Sequence, residues 1–188
     1  MDATRLEISR LYHRFGFGPR PGEYAKALVS GVAATRTAAL TVPAVDAGAA
    51  TVVEPAITDL GKRPAANSKE IVPFAIALRF QTQQMVVWWL DRMAASDHGL
   101  TERMTWFWHG HWATSVDKLN YALPMFKQNK TLRATCLGNF ATMIKAMLND
   151  GALQFWLDGQ DNTLKAPNEN LGRELMELFT LGVGRYSE

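Results

Sequence analysis

The chain has 188 residues, enough for one domain with a sizeable core, and a hydrophobic content of 47% excludes a disordered polypeptide. Its 20 lysines and arginines against 18 aspartates and glutamates are scattered, which leaves a net charge of +2 and no basic footprint for nucleic acid. One cysteine, Cys136, excludes an internal disulfide, and no apolar run is long enough to span a membrane. Cys136 sits among Leu132, Leu137 and Phe140 and reads as a small buried hydrophobe. Asp2, Arg5, Glu7 and Arg10 interrupt the apolar core that a secretory leader needs, so the sequence as written reads as cytoplasmic. Export would require that a leader had been removed.

In chain order, Thr4-Arg5-Leu6-Glu7 has the spacing of a capping box, with Thr4 as N-cap. Ile8, Leu11, Tyr12 and Phe15 follow at helical spacing, and Gly16 ends the element. The turn from Gly16 to Gly22 follows a helix rather than a strand, and its glycine spacing is wrong for a phosphate loop. A second helix is expected from Pro21 to Ser30, closed by Gly31, and a third to Leu40. Across residues 41–70, Pro43, Pro55, Pro64, Gly48 and Gly61 forbid a sustained helix; the segment reads as an arm, a short hairpin or a lid.

The longest helix is expected from Pro73 to Ser96. Phe74, Leu78, Met85, Trp88, Trp89 and Met93 surround it, which predicts a central helix. Thr101 caps the next, through Trp112. A further helix starts at Asn129 or Thr131, holds Leu132, Phe140, Met143, Ile144 and Met147 inside, and stops at Asp150-Gly151. A short helix from Ala152 to Leu157 leads into the polar loop Asp158–Asn162.

The last helix is signed at both ends, by Pro167 and Asn168 at the start and Gly182 at the stop. At 100° per residue, Glu169, Asn170, Arg173, Glu174 and Glu177 share one arc, and Leu171, Leu175, Met176, Leu178 and Phe179 the other. Ser187-Glu188 reads as the first turn of a further helix, as in a fragment. With no strand and no repeat, the expectation is an all-α, irregular multi-helix bundle with one long Ala/Pro-rich loop over residues 41–70. It forms a single helical domain across residues 1–188, the N-terminal portion of a longer one.

Three constellations carry potential chemistry. His109-Gly110-His111 can share a metal if the backbone is extended, because alternate side chains then point the same way; on a continuous helix they diverge by about 200°. Glu174 and Glu177, three residues apart, can face one metal, as paired carboxylates do in helical metalloproteins. Against this, Glu169 and Glu177 each stand four residues from Arg173, the spacing of ordinary helix ion pairs. Ser115-Val116-Asp117-Lys118 has a Ser-x-x-Lys spacing, but Lys130-Thr131 is followed by Leu132 and no Ser-Asp-Asn occurs. The loop Asp158-Gly159-Gln160-Asp161-Asn162 offers oxygen ligands without calcium-loop spacing. Trp106, Phe107, Trp108 and Trp112 read as core rather than as a ligand cage.

Three of these stretches together resemble a bacterial family known as domain of unknown function 1800. They are Leu11–Pro19, then Glu102–Ser115 with Lys118, and the run Asn168–Gly182 followed by Gly184-Arg185-Tyr186-Ser187-Glu188. Members are generally much longer, so the resemblance is to the N-terminal part, and it implies no assigned activity.

Two functions follow as expectations. One is a metal-dependent enzyme site where the His-Gly-His segment meets the last helix. In it, His109 and His111 serve as ligands or general bases, and Glu174 and Glu177 as ligands or acid/base groups. Arg173 and Lys118 hold an anion, and a divalent metal is the cofactor. The other is a non-catalytic scaffold or partner-binding domain. There the same polar residues form a satisfied network, and the partner is the rest of a longer chain or another protein.

Overall fold

The computed structural model describes residues 2–187, and among them every regular element is helical. Ten α-helices follow in order: α1 (Ala3–Phe15), α2 (Glu23–Leu40), α3 (Ala47–Ala50), α4 (Ile71–Ala95), α5 (Leu100–Trp112), α6 (Val116–Leu119), α7 (Ala122–Thr135), α8 (Phe140–Leu148), α9 (Gly151–Trp156) and α10 (Glu169–Glu174). The residues group into two compact units. The first comprises residues 1–55 and 86–106, the second residues 56–85 and 107–188, so α4 and α5 each contribute to both.

In the first unit α1 packs on α2. The cap of α1 is Asp2, whose carboxylate accepts the Thr4 amide at 3.3 Å, rather than the Thr4 capping box. An aspartate one residue outside the first turn satisfies the same orphan amide. Ile8 and Leu11 are buried, Tyr24 donates to the Arg5 carbonyl at 2.9 Å, and Arg36 pairs with Glu7 at 2.7 Å. The two helices expected on either side of Gly31 are both formed within α2 and meet at a break there, where φ is 84° and ψ 169°. The Ala/Pro-rich stretch is not structureless throughout: Asp46 caps α3, its carboxylate accepting the Ala49 amide at 2.8 Å.

In the second unit the rest of that stretch is pinned at two points. Gln81 donates to the Thr58 hydroxyl at 2.9 Å, and the Tyr121 hydroxyl donates to the Gly61 carbonyl at 3.1 Å. The α4 segment is less buried than its composition led us to expect: Val72, Ile76 and Phe80 are 63%, 64% and 58% exposed. Their spacing of four puts them on one outward face. The single helix expected from about residue 130 to 150 is two. Chain direction changes at Gly138-Asn139, and the Asn139 side chain accepts the Ala141 and Thr142 amides at the start of α8. An asparagine after a glycine is a stop and a cap in succession. The core here gathers Leu119, Met125 and Ala152, with Met85, Val116 and Trp156 packed against them.

The last helix starts where expected, with the Asn168 carboxamide accepting the Asn170 amide at 3.0 Å. After Glu174 it widens into a π-helical turn, Leu175–Thr180, closed by the Leu181 and Gly182 amides on the Met176 carbonyl at 2.8 and 3.0 Å. A π turn advances each residue by less than 100°, so arcs drawn for an α-helix fail beyond Leu175. Phe179 is buried, whereas Leu178 is 59% exposed. Ser187 lies outside any helix, and Glu188, the other half of the expected further turn, lies outside the described residues. No helix among the described residues is long and apolar enough to cross a membrane.

Candidate functional site

Of the expected site residues on α5, His111 is bonded to the last helix. The α5 helix stays regular through Gly110, so the extended arrangement needed for a shared metal is not formed and the two histidines diverge. His111 Nε2–H donates to the Phe179 carbonyl at 3.0 Å; a carbonyl only accepts, which fixes the tautomer. Around its ring stand Trp108, Trp112, Phe140 and Phe179, with centroids 5.3 to 6.4 Å away. Trp108 and Phe140 stack at 5.3 Å, and the Trp108 indole donates to the Cys136 carbonyl at 3.0 Å. His111 is thus a polar pin inside an aromatic box, tying α5 to the π turn. His109, on another side of α5, is half-buried, and burial pushes its imidazole below the ordinary value by disfavouring the charged form.

Arg173 organises the polar face of the last helix. Its guanidinium donates to the Asn170 carboxamide at 2.7 Å and stands 3.3 Å from Glu174, 3.6 Å from Glu177 and 3.7 Å from Glu169. Glu177 also accepts the Tyr186 hydroxyl at 2.8 Å. The carboxylates are unequally covered: Glu174 and Glu177 are 17% and 20% exposed, and Glu169 is 83% exposed. Both of the more buried glutamates therefore face Arg173. Behind them, Asn168 donates to the Leu157 carbonyl at 2.9 Å and tethers the helix start to the end of α9.

Lys118 and Ser115 do not form a nucleophile–base pair. The Ser115 hydroxyl caps α6 by accepting the Asp117 amide, and Lys118 donates to the Trp156 carbonyl and pairs with Asp158 at 3.2 Å. The polar loop after α9 thus supplies a partner for Lys118. Among the described residues, no group of three or more His, Cys, Asp or Glu side chains is placed to hold a metal. A family of proteins of unknown function, DUF1800, matches residues 10–188.

The chain belongs to the DUF1800 family. No curated protein and no solved structure matches it. As a DUF1800 chain it carries no assigned activity.

Several arrangements in the first unit had no counterpart in the sequence reading. Asp46 accepts four hydrogen bonds, from the Ala49, Asp97 and His98 amides and the Ser96 hydroxyl, between 2.5 and 2.8 Å. Burial alone would raise its carboxyl, but these donors outweigh it and hold the group at about 2. Arg20 closes the end of α4, donating to the Ala95 and Ser96 carbonyls and pairing with Asp97 at 2.6 Å. Glu102 is 1% exposed; it accepts Arg92 at 3.1 Å and the Trp89 indole at 3.2 Å. The signal for Asp46 was present, an aspartate just before Ala-Gly-Ala-Ala, but a four-residue helix leaves no periodicity. Beside these groups lies a cleft of about 620 Å³ walled by the end of α1, one face of α2 and the turn before α5. The DUF1800-like stretch from Leu11 to Pro19 lines it along its whole length, apart from His13 and Arg14.

Proposed function

We propose that this DUF1800 chain is a non-catalytic helical scaffold, and that its family-signature polar residues serve as internal fastenings rather than as an acid–base or metal centre. The observation that carries this is the closed set around Arg173. One guanidinium takes up Asn170, Glu174, Glu177 and Glu169, and Tyr186 takes the remaining face of Glu177. A ligand or base must offer a lone pair to something outside the fold, and a carboxylate turned onto an adjacent arginine has fewer to offer. His111 supports the same reading, since the nitrogen it presents to the last helix holds a backbone carbonyl.

The arrangement also fits the local folding problem. A π turn leaves its carbonyls spaced for fewer internal bonds, and short helices such as α10 are marginal alone. His111 on Phe179 and Arg173 across the first turns supply the missing constraint. The work of such a domain is then done through its surface, as a support for a partner protein or for further chain. The test is a double-mutant cycle on Arg173→Met and Glu177→Gln, read by urea unfolding. A coupling of about 0.5–1 kcal/mol with unchanged helicity is expected. Zero coupling would remove the network from the account.

A further inference from the structure

We propose that the cleft in the first unit binds a small organic carboxylate with an apolar body, such as a medium-chain acyl or aryl acid. This goes beyond the scaffold reading and rests on different residues. Its volume, about 620 Å³, is that of a small-molecule site.

The cleft exists because of side-chain size. On α2 the cleft is lined by Ala27 and Ser30 before the break at Gly31 and by Ala34 and Ala38 after it, and on the other wall by Tyr12, Phe15 and Phe17. Where α1 meets the turn before α5, two glycines that line the cleft are in backbone contact: a Cβ on Gly99 would lie 2.8 Å from the Gly16 Cα. No side chain can enter there, so the aromatic end of α1 sits directly on the turn before α5.

The chemistry follows from which polar groups are already used. Arg20 is consumed by Asp97 and the α4 carbonyls, and the second Asp97 oxygen accepts the Gly48 amide at 2.7 Å. One Glu23 oxygen accepts the Arg20 amide at 2.7 Å, and the Tyr12 hydroxyl donates to the Glu23 carbonyl at 3.3 Å. Thr35 donates to the Gly31 carbonyl at 2.9 Å, and His98 Nε2–H to the Ala38 carbonyl at 3.0 Å. The His98 Nδ1 lone pair has no partner among the described residues, but that atom is buried away from the cleft's open space. The side-chain donors that remain on the wall are the Lys26 ammonium and the Ser30 hydroxyl, four residues apart on α2, neither with a partner among the described residues, beside the second Glu23 oxygen. Both donate. An ammonium and a hydroxyl one turn apart suit the two oxygens of a carboxylate, and the alanines beyond them suit a hydrocarbon. The second Glu23 oxygen, three residues before Lys26, attracts the Lys26 ammonium and repels further negative charge on a ligand, which favours a monoanion over a dianion.

The test is calorimetric titration of the whole chain with decanoate, decanol and decylamine, each as a monomeric solution. Decanoate is expected to bind about tenfold more tightly than either of the others. Lys26→Met should remove that preference while leaving the unfolding curve unchanged. Ala34→Phe, which fills the slot from an exposed position, should abolish decanoate binding. No saturable decanoate binding, equal affinity for all three probes, a preference that survives Lys26→Met, or an unaltered Ala34→Phe titration would each overturn the proposal.

Discussion

The two units settle the same problem, an arginine beside glutamates, at opposite depths. In the first, Arg92 and Glu102 meet at 3.1 Å with side chains 18% and 2% exposed, and Glu102 has the Trp89 indole as its second donor. In the second, Arg173 is 41% exposed and spreads over three glutamates at 3.3 to 3.7 Å. Geometry is tighter and burial deeper at Glu102, which opens the family-like stretch Glu102–Ser115, and looser in the family-like run of the last helix. A buried pair is costly to break because the surviving charge has no water, whereas an exposed fan can re-form or be replaced by solvent. The exposed fan on the last helix therefore marks where helices are fastened, and the buried Arg92–Glu102 pair marks where stability is concentrated.

The comparison breaks most visibly at Glu102. Glu102→Ala strands Arg92 beside the core and is expected to cost about 3–5 kcal/mol in urea unfolding. A loss near that of a surface pair would place the first unit's pair in the same class as the second's. Next comes Gly99→Ala, whose new Cβ meets the Gly16 backbone at 2.8 Å. A shift of main chain is the only relief, so a loss of about 1–3 kcal/mol is expected by thermal melting. Arg173→Ala removes the centre of the fan and should cost about 1–2 kcal/mol, because several partners share the loss. Glu169→Ala, at the fan's 83%-exposed edge, should change stability by less than about 0.5 kcal/mol.

Two helix-capping aspartates sharpen the contrast through pH. Asp46 is held at about 2 by its four donors against the opposing effect of burial, so its contribution is full above the unfolded value near ~3.9 and is lost as pH falls toward about 2. Asp150 caps α9, accepting the Leu153 amide at 3.0 Å and the Gln128 amide at 2.7 Å, and burial raises it despite these bonds. Its effect has the opposite sign: present below the unfolded value and lost as pH rises through the raised one. Asp46→Asn should flatten the acid limb of the stability profile between pH ~4 and ~2, and Asp150→Asn should raise stability at neutral pH relative to acid. Unchanged profiles in both variants would contradict the assigned causes.

Much of the fold was legible because helices announce themselves by period and by their ends. Asn168, Gly16, Gly31 and Gly182 all fall at ends or breaks of elements, and α5 runs through His109-Gly110-His111 to Trp112 as its spacing implies. Short elements were not legible: α3 and α6 have four residues each, too few for periodicity, and the break at Gly138-Asn139 was hidden inside a continuous apolar pattern. In the candidate site, the i, i+4 spacing around Arg173 was readable, and the ion pairs stand where it put them. The Tyr186 bond to Glu177 and the His111 bond to the Phe179 carbonyl were not, because each depends on the π turn that displaces the expected arcs. Long-range fastenings such as Arg20 on the end of α4 join residues more than 70 positions apart and leave no local trace.

The claim that the signature glutamates are fastenings is tested most directly by elemental analysis of the purified protein, side by side with its Glu177→Gln and His111→Ala variants. The account predicts no divalent transition metal approaching one per chain in any of the three. One equivalent in the unaltered protein, lost in either variant, would contradict it.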